Sequence, residues 1–246
     1  MMKDNFSTHS NLYKQYRPDY PLDLFEWLFK QINQFESAWD CGTGNGQIAS
    51  VLSKKFKNVF ATDISEQQLS NAAILPNIEY SKQSAEHTNF ANNYFDLITV
   101  GQAIHWFDFE NFYKEVKRSA KPNAIIAVVG YGQFKCEPAI DAIIDTLYTD
   151  IIGKYWDKER KYVEENYLSI PFPFKEIQGP HFSKRYSWDL PQIIGYLETW
   201  SAVKHYQKEN NQNPVDLIKK DLEAVWDTGE FKEINFPIIT RIGSIL

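Results

Sequence analysis

A glycine-rich turn is the clearest candidate for ligand chemistry in this sequence. Residues Asp40 to Gly46 read Asp-Cys-Gly-Thr-Gly-Asn-Gly, directly after a predicted strand and directly before a predicted helix. Alternating glycines allow a tight turn and bring the backbone amides of a helix N-terminus close to a ligand. A dinucleotide fingerprint would need its third glycine where Gln47 stands. The candidate ligand-binding residues of this turn are Gly42, Thr43, Gly44 and Gly46.

Two carboxylates accompany the turn. Asp63 ends the second predicted strand, a position where an acid accepts hydrogen bonds from ribose hydroxyls in doubly wound folds. The alternative is that Asp63 caps a helix beginning near Ser65. Asp40 either faces the ammonium group of a ligand or orients the glycine turn.

An arginine near the N-terminus is a candidate carboxylate ligand. Arg17 precedes Pro18, which favours an extended backbone and a positioned side chain. A guanidinium forms two-pronged bonds to carboxylates, so Arg17 is suited to grip a carboxylate of a cofactor or of an acidic substrate. The alternative is a surface arginine paired with Asp19 or Asp23.

His105 and Trp106 follow the fourth predicted strand, at the edge where ligands bind in open α/β sheets. A histidine with an ordinary pKa is able to accept a proton from a nucleophile. The alternative is a histidine hydrogen-bonded into the cover of the site. Trp106 is predicted to form a pocket wall. The two cysteines, Cys41 and Cys136, lack metal-ligand spacing, and we expect no metal site.

The elements that must position these residues alternate between strand and helix up to about residue 130. This alternation predicts an α/β, Rossmann-like, doubly wound and mostly parallel seven-stranded sheet. The predicted strands up to this point are 38–41, 59–62, 77–81, 95–100 and 124–129, with a turn at 121–123. The predicted helices are 21–33, 47–56, one beginning at Ser65, and 109–119.

The pattern changes in the second half of the chain. Residues 138–168 are predicted helical, the proline-containing 169–180 a loop, 181–188 an edge strand, 190–208 and 214–227 helices, and 234–242 a last strand. We interpret this half as a helical and aromatic cover inserted after the fifth strand. Within it, 131–215 should be mobile and lie over the carboxyl ends of the strands.

These patterns predict a single domain spanning 1–246. Its parts are an N-terminal segment and helix (1–34), a cofactor-binding core (35–130), the cover (131–230) and a final strand (231–246).

Composition narrows the class of protein. The chain has 26 basic and 32 acidic residues and a net charge of −6, which argues against a nucleic-acid backbone binder. Residues 1–10 lack the apolar core of a signal peptide, and the longest apolar stretch, 125–129, is too short to cross a bilayer. We therefore expect a cytoplasmic protein with reduced cysteines and no membrane partner. The oligomeric state is left open.

Several motifs, in order, resemble a known family. The turn at Asp40, then Ala61-Thr62-Asp63-Ile64-Ser65, Ser84-Ala85-Glu86 and Phe95-Asp96-Leu97-Ile98 resemble the motif series of class I S-adenosylmethionine (SAM)-dependent methyltransferases. Three further segments are similar to a small-molecule subgroup related to trans-aconitate methyltransferase: Tyr13-x-x-Tyr16-Arg17-Pro18-x-Tyr20-Pro21, Gln102-Ala103-Ile104-His105-Trp106-Phe107 and Thr199-Trp200-Ser201-Ala202.

The resemblance implies a role for individual residues. The three glycines would lie under the methionine part of SAM, with the Tyr16–Arg17 segment folded over that end of the site. Asp63 would hold the ribose, Ile64 would pack on the adenine, and Ser84 and Ala85 would lie at its edge. Many relatives have Asp where Ser84 stands, so Glu86 or backbone groups would replace that contact. Gln102 would lie near the sulfonium. Asp96 would be structural or would support residues that contact the ligand.

The implied function is methyl transfer from SAM to a small-molecule acceptor, with a carboxylate as the expected acceptor group. The rival hypotheses are a SAM-binding regulator without turnover and an NAD(P)-dependent oxidoreductase. Gln47 argues against the oxidoreductase, and the presence of Arg17, His105 and Trp106 argues against the regulator.

Overall fold

The computed structural model describes residues 16–245, so Tyr13 and the first ten residues lie outside the described part. The strands are β1 Ser37–Cys41, β2 Asn58–Asp63, β3 Ile78–Lys82, β4 Phe95–Gly101, β5 Ala120–Tyr131, β6 Lys175–Glu176, β7 Ser183–Trp188 and β8 Lys232–Ser244. The α-helices are α1 Leu22–Phe29, α2 Gln47–Leu52, α3 Glu66–Ser70, α4 Phe109–Ser119, α5 Pro138–Asp145, α6 Arg160–Glu164, α7 Leu190–Glu198, α8 Ser201–Asn210 and α9 Asp216–Val225.

The sheet has the predicted Rossmann-like arrangement. Its strand order is β3-β2-β1-β4-β5-β8-β6, with β1 to β5 parallel and β8 antiparallel to β5. Every residue of β1 is buried, as is all of β4 except its last residue. Continuous burial is typical of central parallel strands that have helices on both faces. All five predicted parallel strands are present, which confirms the fold class.

The number of strands differs from the predicted seven, because the edge next to β8 is shared by two short strands. The strand β6 pairs with the end of β8, whereas β7 pairs with its beginning. Gly179 and Pro180 lie between them. Since proline has no N–H to donate to a ladder, an edge strand is interrupted there. The sheet therefore has eight strands in seven positions.

The predicted turn at 121–123 is also different in the structure. The strand β5 already begins at Ala120, and the register of its pairing with β4 shifts between Phe95 and Leu97. Asn123 takes a positive φ of 62°. Its N–H donates to the carbonyl of Ile245. The turn-forming residues thus produce a bulge inside a long strand, because pairing with neighbouring backbone continues on both sides.

The cover is helical but broken. The predicted helix 138–168 is divided into α5, a π-helix at Thr146–Ile151, a 3-10 turn at Gly153–Tyr155 and α6. A cluster of rings packs the cover onto the sheet around Tyr196, with neighbours Phe134, Trp188, Trp200 and Phe236. Among residues 16–245, no helix is long and apolar enough to span a membrane. The domain subdivision and the mobility of the cover remain predictions.

The segment before α1 is attached to β7, the short edge strand that pairs with β8. The N–H of Asp19 donates to the Tyr186 hydroxyl, which in turn donates to the Asp19 carboxylate. Lys184 on the same strand, β7, forms an ion pair with Asp19 at 2.9 Å. Residues 16–21, here called the N-terminal strap, are thereby held over the carboxyl ends of the parallel strands.

Asp96 lies near the amino ends of the central strands β1 and β4, at the end of the sheet away from the strap. One carboxylate oxygen accepts the N–H groups of Glu36 and Ser37, each at 3.0 Å, and the other pairs with Lys121 at 2.7 Å. The side chain is almost fully buried. These contacts are structural, which is one of the two roles that the resemblance implied.

We predict that Asp96→Ala lowers the free energy of unfolding by about 2–4 kcal/mol, because two backbone donors and a partly buried ammonium lose their acceptor. Denaturant unfolding measures this change, with the exposed Asp221→Ala as the control. Affinity for the cofactor should be unchanged. A loss of affinity with unchanged stability would contradict the structural role.

Candidate active site at the carboxyl edge of the sheet

A solvent-open cleft of about 1100 Å³ lies where β1, β2, β4 and β5 end. The lining residues from the strap and the glycine turn are Arg17, Pro18, Tyr20, Asp40, Gly42, Thr43, Gly44, Asn45, Gln47 and Ile48. Those from the other strand ends are Asp63, Ile64, Ser65, Gln68, Gln83, Ala85, Gly101, Gln102, Ala103, Trp106, Phe107 and Tyr131.

The glycines of the turn have different roles. Gly44 has φ +56°, and a Cβ added there would meet no atom within 4 Å, so its backbone borders open space. Gly46 has φ +80° and does not line the cleft. A Cβ at Gly46 would lie 2.4 Å from the Tyr80 hydroxyl. Gly44 therefore leaves room for a ligand, whereas Gly46 is required by packing on Tyr80.

Asp63 lines the cleft and is oriented by backbone. Its carboxylate accepts the N–H of Gly44 and the N–H of Ser65, each at 2.9 Å. Ser65 itself caps α3 by accepting the N–H of Gln68, so the alternative cap role of Asp63 is already filled. These two bonds orient Asp63 at the edge of the cleft.

Asp40 is a buried hub beneath the turn. It accepts the hydroxyl of Thr43 at 2.5 Å, the N–H of Ala49 at 3.0 Å and the hydroxyl of Thr99 at 2.8 Å. Burial raises its pKa to about 6; these hydrogen bonds act to lower it, and the charge of Asp63 adds to the increase. The three bonds support the hypothesis that Asp40 orients the turn, although it also borders the cleft.

Arg17 reaches into the cleft from the strap. Its Nη1 donates to the Tyr131 hydroxyl and its Nη2 to the carbonyl of Thr199, both at 3.0 Å. The guanidinium also lies over the ring of Tyr196, 5.8 Å from its centroid. These contacts place a cation at the end of the cleft away from Asp63, and they anchor the strap to β5 and to the end of α7.

The surface alternative for Arg17 is not supported by its neighbours. Asp19 is engaged by Lys184 and Tyr186, and Asp23 accepts the N–H of Leu24. Tyr16, which the sequence also placed at the site, does not line the cleft. Its ring packs against Gly195, where an added Cβ would come within 2.6 Å of it.

Gln102 borders the cleft, but its amide is engaged by backbone. It has a positive φ of 52°. Its Oε1 accepts the N–H of Tyr131 at 2.8 Å, and its Nε2 donates to the Tyr131 carbonyl at 3.3 Å. A left-handed conformation of a residue other than glycine costs free energy and is typical of functional sites. Gln102 thus fixes the position of Tyr131, which lies beside Arg17.

Of the predicted Ser84-Ala85-Glu86 motif, Ala85 alone reaches the cleft. Ile64 and Ala85 line the cleft, whereas Ser84 and Glu86 do not. The Ser84 hydroxyl donates to the carbonyl of His87, and Glu86 accepts the N–H of Asp108. Ala85 and Glu86 lie in a turn, and Gln83, which directly follows β3, lines the cleft together with Ala85.

Trp106 forms the predicted wall, but His105 does not reach the cleft. Its ring is buried between Trp106 and Tyr167, with centroids at 4.9 and 6.1 Å. Burial, followed by the charge of Arg160, lowers the pKa of His105 to about 3. Within residues 16–245, its Nδ1 has no hydrogen-bond partner. His105 is therefore neutral near pH 7 and poorly suited to act as a general base in this conformation, and the hydrogen-bonded alternative is not seen either.

Several residues that line the cleft were not predicted from the sequence. Tyr20 and Phe107 belong to segments noted for their resemblance, so their motifs already indicated them. Tyr131 ends an apolar strand and carries no motif. Gln68 lies on a helix whose start was predicted but whose buried polar side chain was not. In the described part of the chain, no group of His, Cys, Asp or Glu could hold a metal ion.

Comparison with known proteins agrees with this geometry. Residues 39–128 match the family model described as a methyltransferase domain. A Dictyostelium discoideum protein named as a methyltransferase is 33% identical over 243 residues, which cover 96% of this chain and 92% of that protein. A solved structure from Anaeromyxobacter dehalogenans, named as a type II methyltransferase, has a TM-score of 0.87 and 37% identity, covering 94% of this chain and 99% of that one.

A more distant structure shares the fold. A chain from Bacillus halodurans, also named as a methyltransferase, has a TM-score of 0.54 at 17% identity, covering 92% of this chain and 99% of that one.

The buried state of Asp40 predicts a pH dependence of stability. Its folded pKa of about 6 exceeds the unfolded value, so its contribution is full below about pH 4 and is lost as the pH rises through 6. Relative to Asp40→Asn, which does not titrate, wild type should lose about 2–2.5 kcal/mol of unfolding free energy between pH 4 and 7. Denaturant unfolding of both proteins across this range measures the difference. Parallel pH profiles would show that Asp40 has an ordinary pKa.

Proposed function

This chain belongs to the class I SAM-dependent methyltransferases, and we propose that its methyl acceptor is a small molecule bearing a carboxylate. The observation that carries this proposal is the distribution of charge in the cleft. Among the described lining residues, the carboxylates Asp40 and Asp63 lie at the glycine turn, and the cationic side chain, Arg17, lies at the other end. An anionic acceptor is attracted to the cationic end and repelled by the acidic one.

The residues at the glycine turn fit the SAM cofactor of the family. The Asp63 carboxylate lines the cleft and is the kind of acceptor that ribose hydroxyls require, and Ile64 and Ala85 offer apolar surface for a flat base. Gly44 borders open space, which allows a ligand to approach the backbone. These assignments are part of the proposal.

Bound SAM supplies a methyl group that is already activated by its sulfonium. The chain therefore has to place the acceptor in line with that methyl and exclude water. A carboxylate is ionised at neutral pH and needs no proton acceptor. The neutral, buried His105 is consistent with an acceptor that requires no general base. Asp40, the lining group with a pKa near neutrality, is engaged by the turn.

A second role for Arg17 is compatible with its position at this end of the cleft. In this alternative, Arg17 binds the carboxylate of SAM itself, since the same two-pronged geometry suits either carboxylate. The two roles are separable because one changes the affinity for cofactor and the other does not. The rival NAD(P)-dependent oxidoreductase is set aside by the family, and a regulator without turnover would not transfer methyl groups.

We predict that Asp63→Ala weakens SAM binding by about 1.5–3 kcal/mol, roughly 10- to 150-fold, as two charged hydrogen bonds to the ribose are lost. Because Asp63 also bonds Gly44 and Ser65, the free energy of unfolding should fall by about 1–2 kcal/mol. Calorimetric titration and denaturant unfolding give the two values.

Asp63→Asn is the matched variant, since it keeps one acceptor oxygen and should show intermediate affinity. Undiminished affinity of Asp63→Ala, combined with lower stability, would leave only the structural role.

We predict that Arg17→Ala lowers kcat/KM for carboxylate acceptors about tenfold or more, and that Arg17→Lys is already impaired because lysine loses the planar fork. The measurement is transfer of radiolabelled methyl from SAM to a panel of small acids and their amides. Tyr131→Phe is the control, because it removes the hydroxyl that Arg17 bonds while keeping the guanidinium.

The affinities of SAM and decarboxylated SAM distinguish the two roles of Arg17. If Arg17→Ala weakens only SAM, the residue binds the cofactor carboxylate. If acids are methylated no better than their amides by wild type, the proposed acceptor class is wrong.

A further inference from the structure

The end of the cleft around Arg17 combines one cation with aromatic walls, and we propose that the acceptor is a monocarboxylate with a flat, apolar body, as in an aryl acid. Among the described residues that line the cleft, Arg17 is the one cation. Three lining rings come from three separate segments: Tyr20 from the strap, Trp106 from the turn after β4 and Tyr131 from the end of β5. The proposal rests on the proposed function, because Arg17 there receives the acceptor carboxylate.

The rings of Tyr20 and Tyr131 lie close to Arg17. The Tyr131 hydroxyl accepts a hydrogen bond from Nη1 of Arg17 at 3.0 Å, and the centroids of the two rings are 6.3 Å apart. Both side chains are almost fully buried and both line the cleft, so the surrounding packing fixes the rings in place. A carboxylate held by Arg17 therefore has aromatic carbon next to it.

Trp106 supplies a ring that is more open to the cleft. Unlike Tyr20 and Tyr131, it is partly exposed. On its other side lies the buried ring of His105, with centroids 4.9 Å apart. Since His105 covers one side of the indole and Trp106 lines the cleft, the exposed part of the indole borders the space that a ligand fills. Contacts between aromatic rings stabilise a complex beyond the effect of the buried area.

The neighbouring lining residues offer little to a second polar group. Both amide atoms of Gln102 bond the backbone of Tyr131. Ala103 and Phe107 are apolar, and Phe107 belongs to the cofactor end, since a Cβ added at Gly42 would lie 3.2 Å from its ring. Within residues 16–245, this lining therefore holds no second cation for another anionic group.

A second carboxylate on the acceptor would lack a partner in the cleft. Moving an ionised carboxylate from water to apolar surroundings is costly unless a cation or several donors receive it. Towards the glycine turn it would approach Asp40 and Asp63, whose charges repel an anion. Trans-aconitate, the tricarboxylate that gives the resembling subgroup its name, would place two further charges in this environment. An aryl monocarboxylate fits both the cation and the rings.

The test uses ligands that differ from trans-cinnamate in one property. Para-carboxycinnamate adds a second carboxylate, cyclohexylacrylate replaces the flat ring by a puckered one, and cinnamamide removes the charge. Trans-aconitate represents the polycarboxylates. Each is titrated calorimetrically into the enzyme saturated with S-adenosylhomocysteine, and each acid is assayed as an acceptor of radiolabelled methyl from SAM.

Wild type should bind trans-cinnamate about threefold or more tightly than cyclohexylacrylate, as expected for one ring–ring contact. It should bind para-carboxycinnamate and trans-aconitate at least about tenfold more weakly, because their additional charges have no partner. KM values from the transfer assay should follow the same order.

Trp106→Leu keeps an apolar wall but removes the ring, so it should abolish the preference for cinnamate over cyclohexylacrylate. Trp106→Phe should retain part of that preference, and both variants should bind SAM as wild type does. The matched control is Phe231→Leu, the same kind of change at an exposed ring that does not line the cleft, and it should keep the wild-type preferences.

Tighter binding of para-carboxycinnamate or trans-aconitate than of cinnamate would overturn the monocarboxylate class. Equal affinity of wild type for cinnamate and cyclohexylacrylate, or an equal loss of both in Trp106→Leu, would overturn the flat body. Should Trp106→Leu fail to fold, the wild-type comparison decides alone. In each of these cases, rejection of cinnamamide leaves the carboxylate acceptor in place. Binding of cinnamamide as tightly as cinnamate, or of none of the acids, would overturn the proposed function as well.

Discussion

The geometry of the cleft depends on one buried carboxylate. Asp40 joins the glycine turn through Thr43, the first turn of α2 through Ala49 and the neighbouring strand through Thr99. Removing such a group leaves several donors unsatisfied, so the hub links the position of the turn to the stability of the sheet. Asp63 continues the same chain of bonds by accepting the N–H of Gly44. The two acids thus build the rigid end of the site, and the strap and cover supply the other end.

Sequence was most informative where the relevant interactions are local. The helix predicted over 109–119 has the same bounds in the structure, because Asp108 caps it and its apolar positions recur on one face. The cap at Ser65 and the strands around the glycine turn follow from short patterns in the same way. Asp63 was also found at the cleft, since its spacing from the turn is a property of the fold.

Sequence was least informative where distant segments decide the outcome. The environment of His105 depends on Tyr167 and Arg160, which belong to the cover and have no motif linking them to it. Whether Ser84 or Gln83 borders the cleft depends on the direction of a single side chain, and a shift of one residue reverses it. Tyr167 has a φ of 61°, a conformation that bulky residues rarely adopt and that propensity does not predict. The surroundings of the cleft near Trp106 and Ala85 are therefore set by tertiary contacts that short sequence patterns do not encode.

The division of the outer strand into β6 and β7 has a consequence for the behaviour of the protein in solution. A long unpaired edge is a template on which strands of other molecules can add, and natural sheets avoid it with short strands, charged residues and proline. Here the edge offers a two-residue strand, Lys175–Glu176, followed by Gly179 and Pro180 before pairing resumes at Ser183. The alternate exposed positions of β7 include Arg185. This side of the sheet is thereby protected against edge-to-edge aggregation, which gives the glycine–proline break a value for the folded protein independent of catalysis.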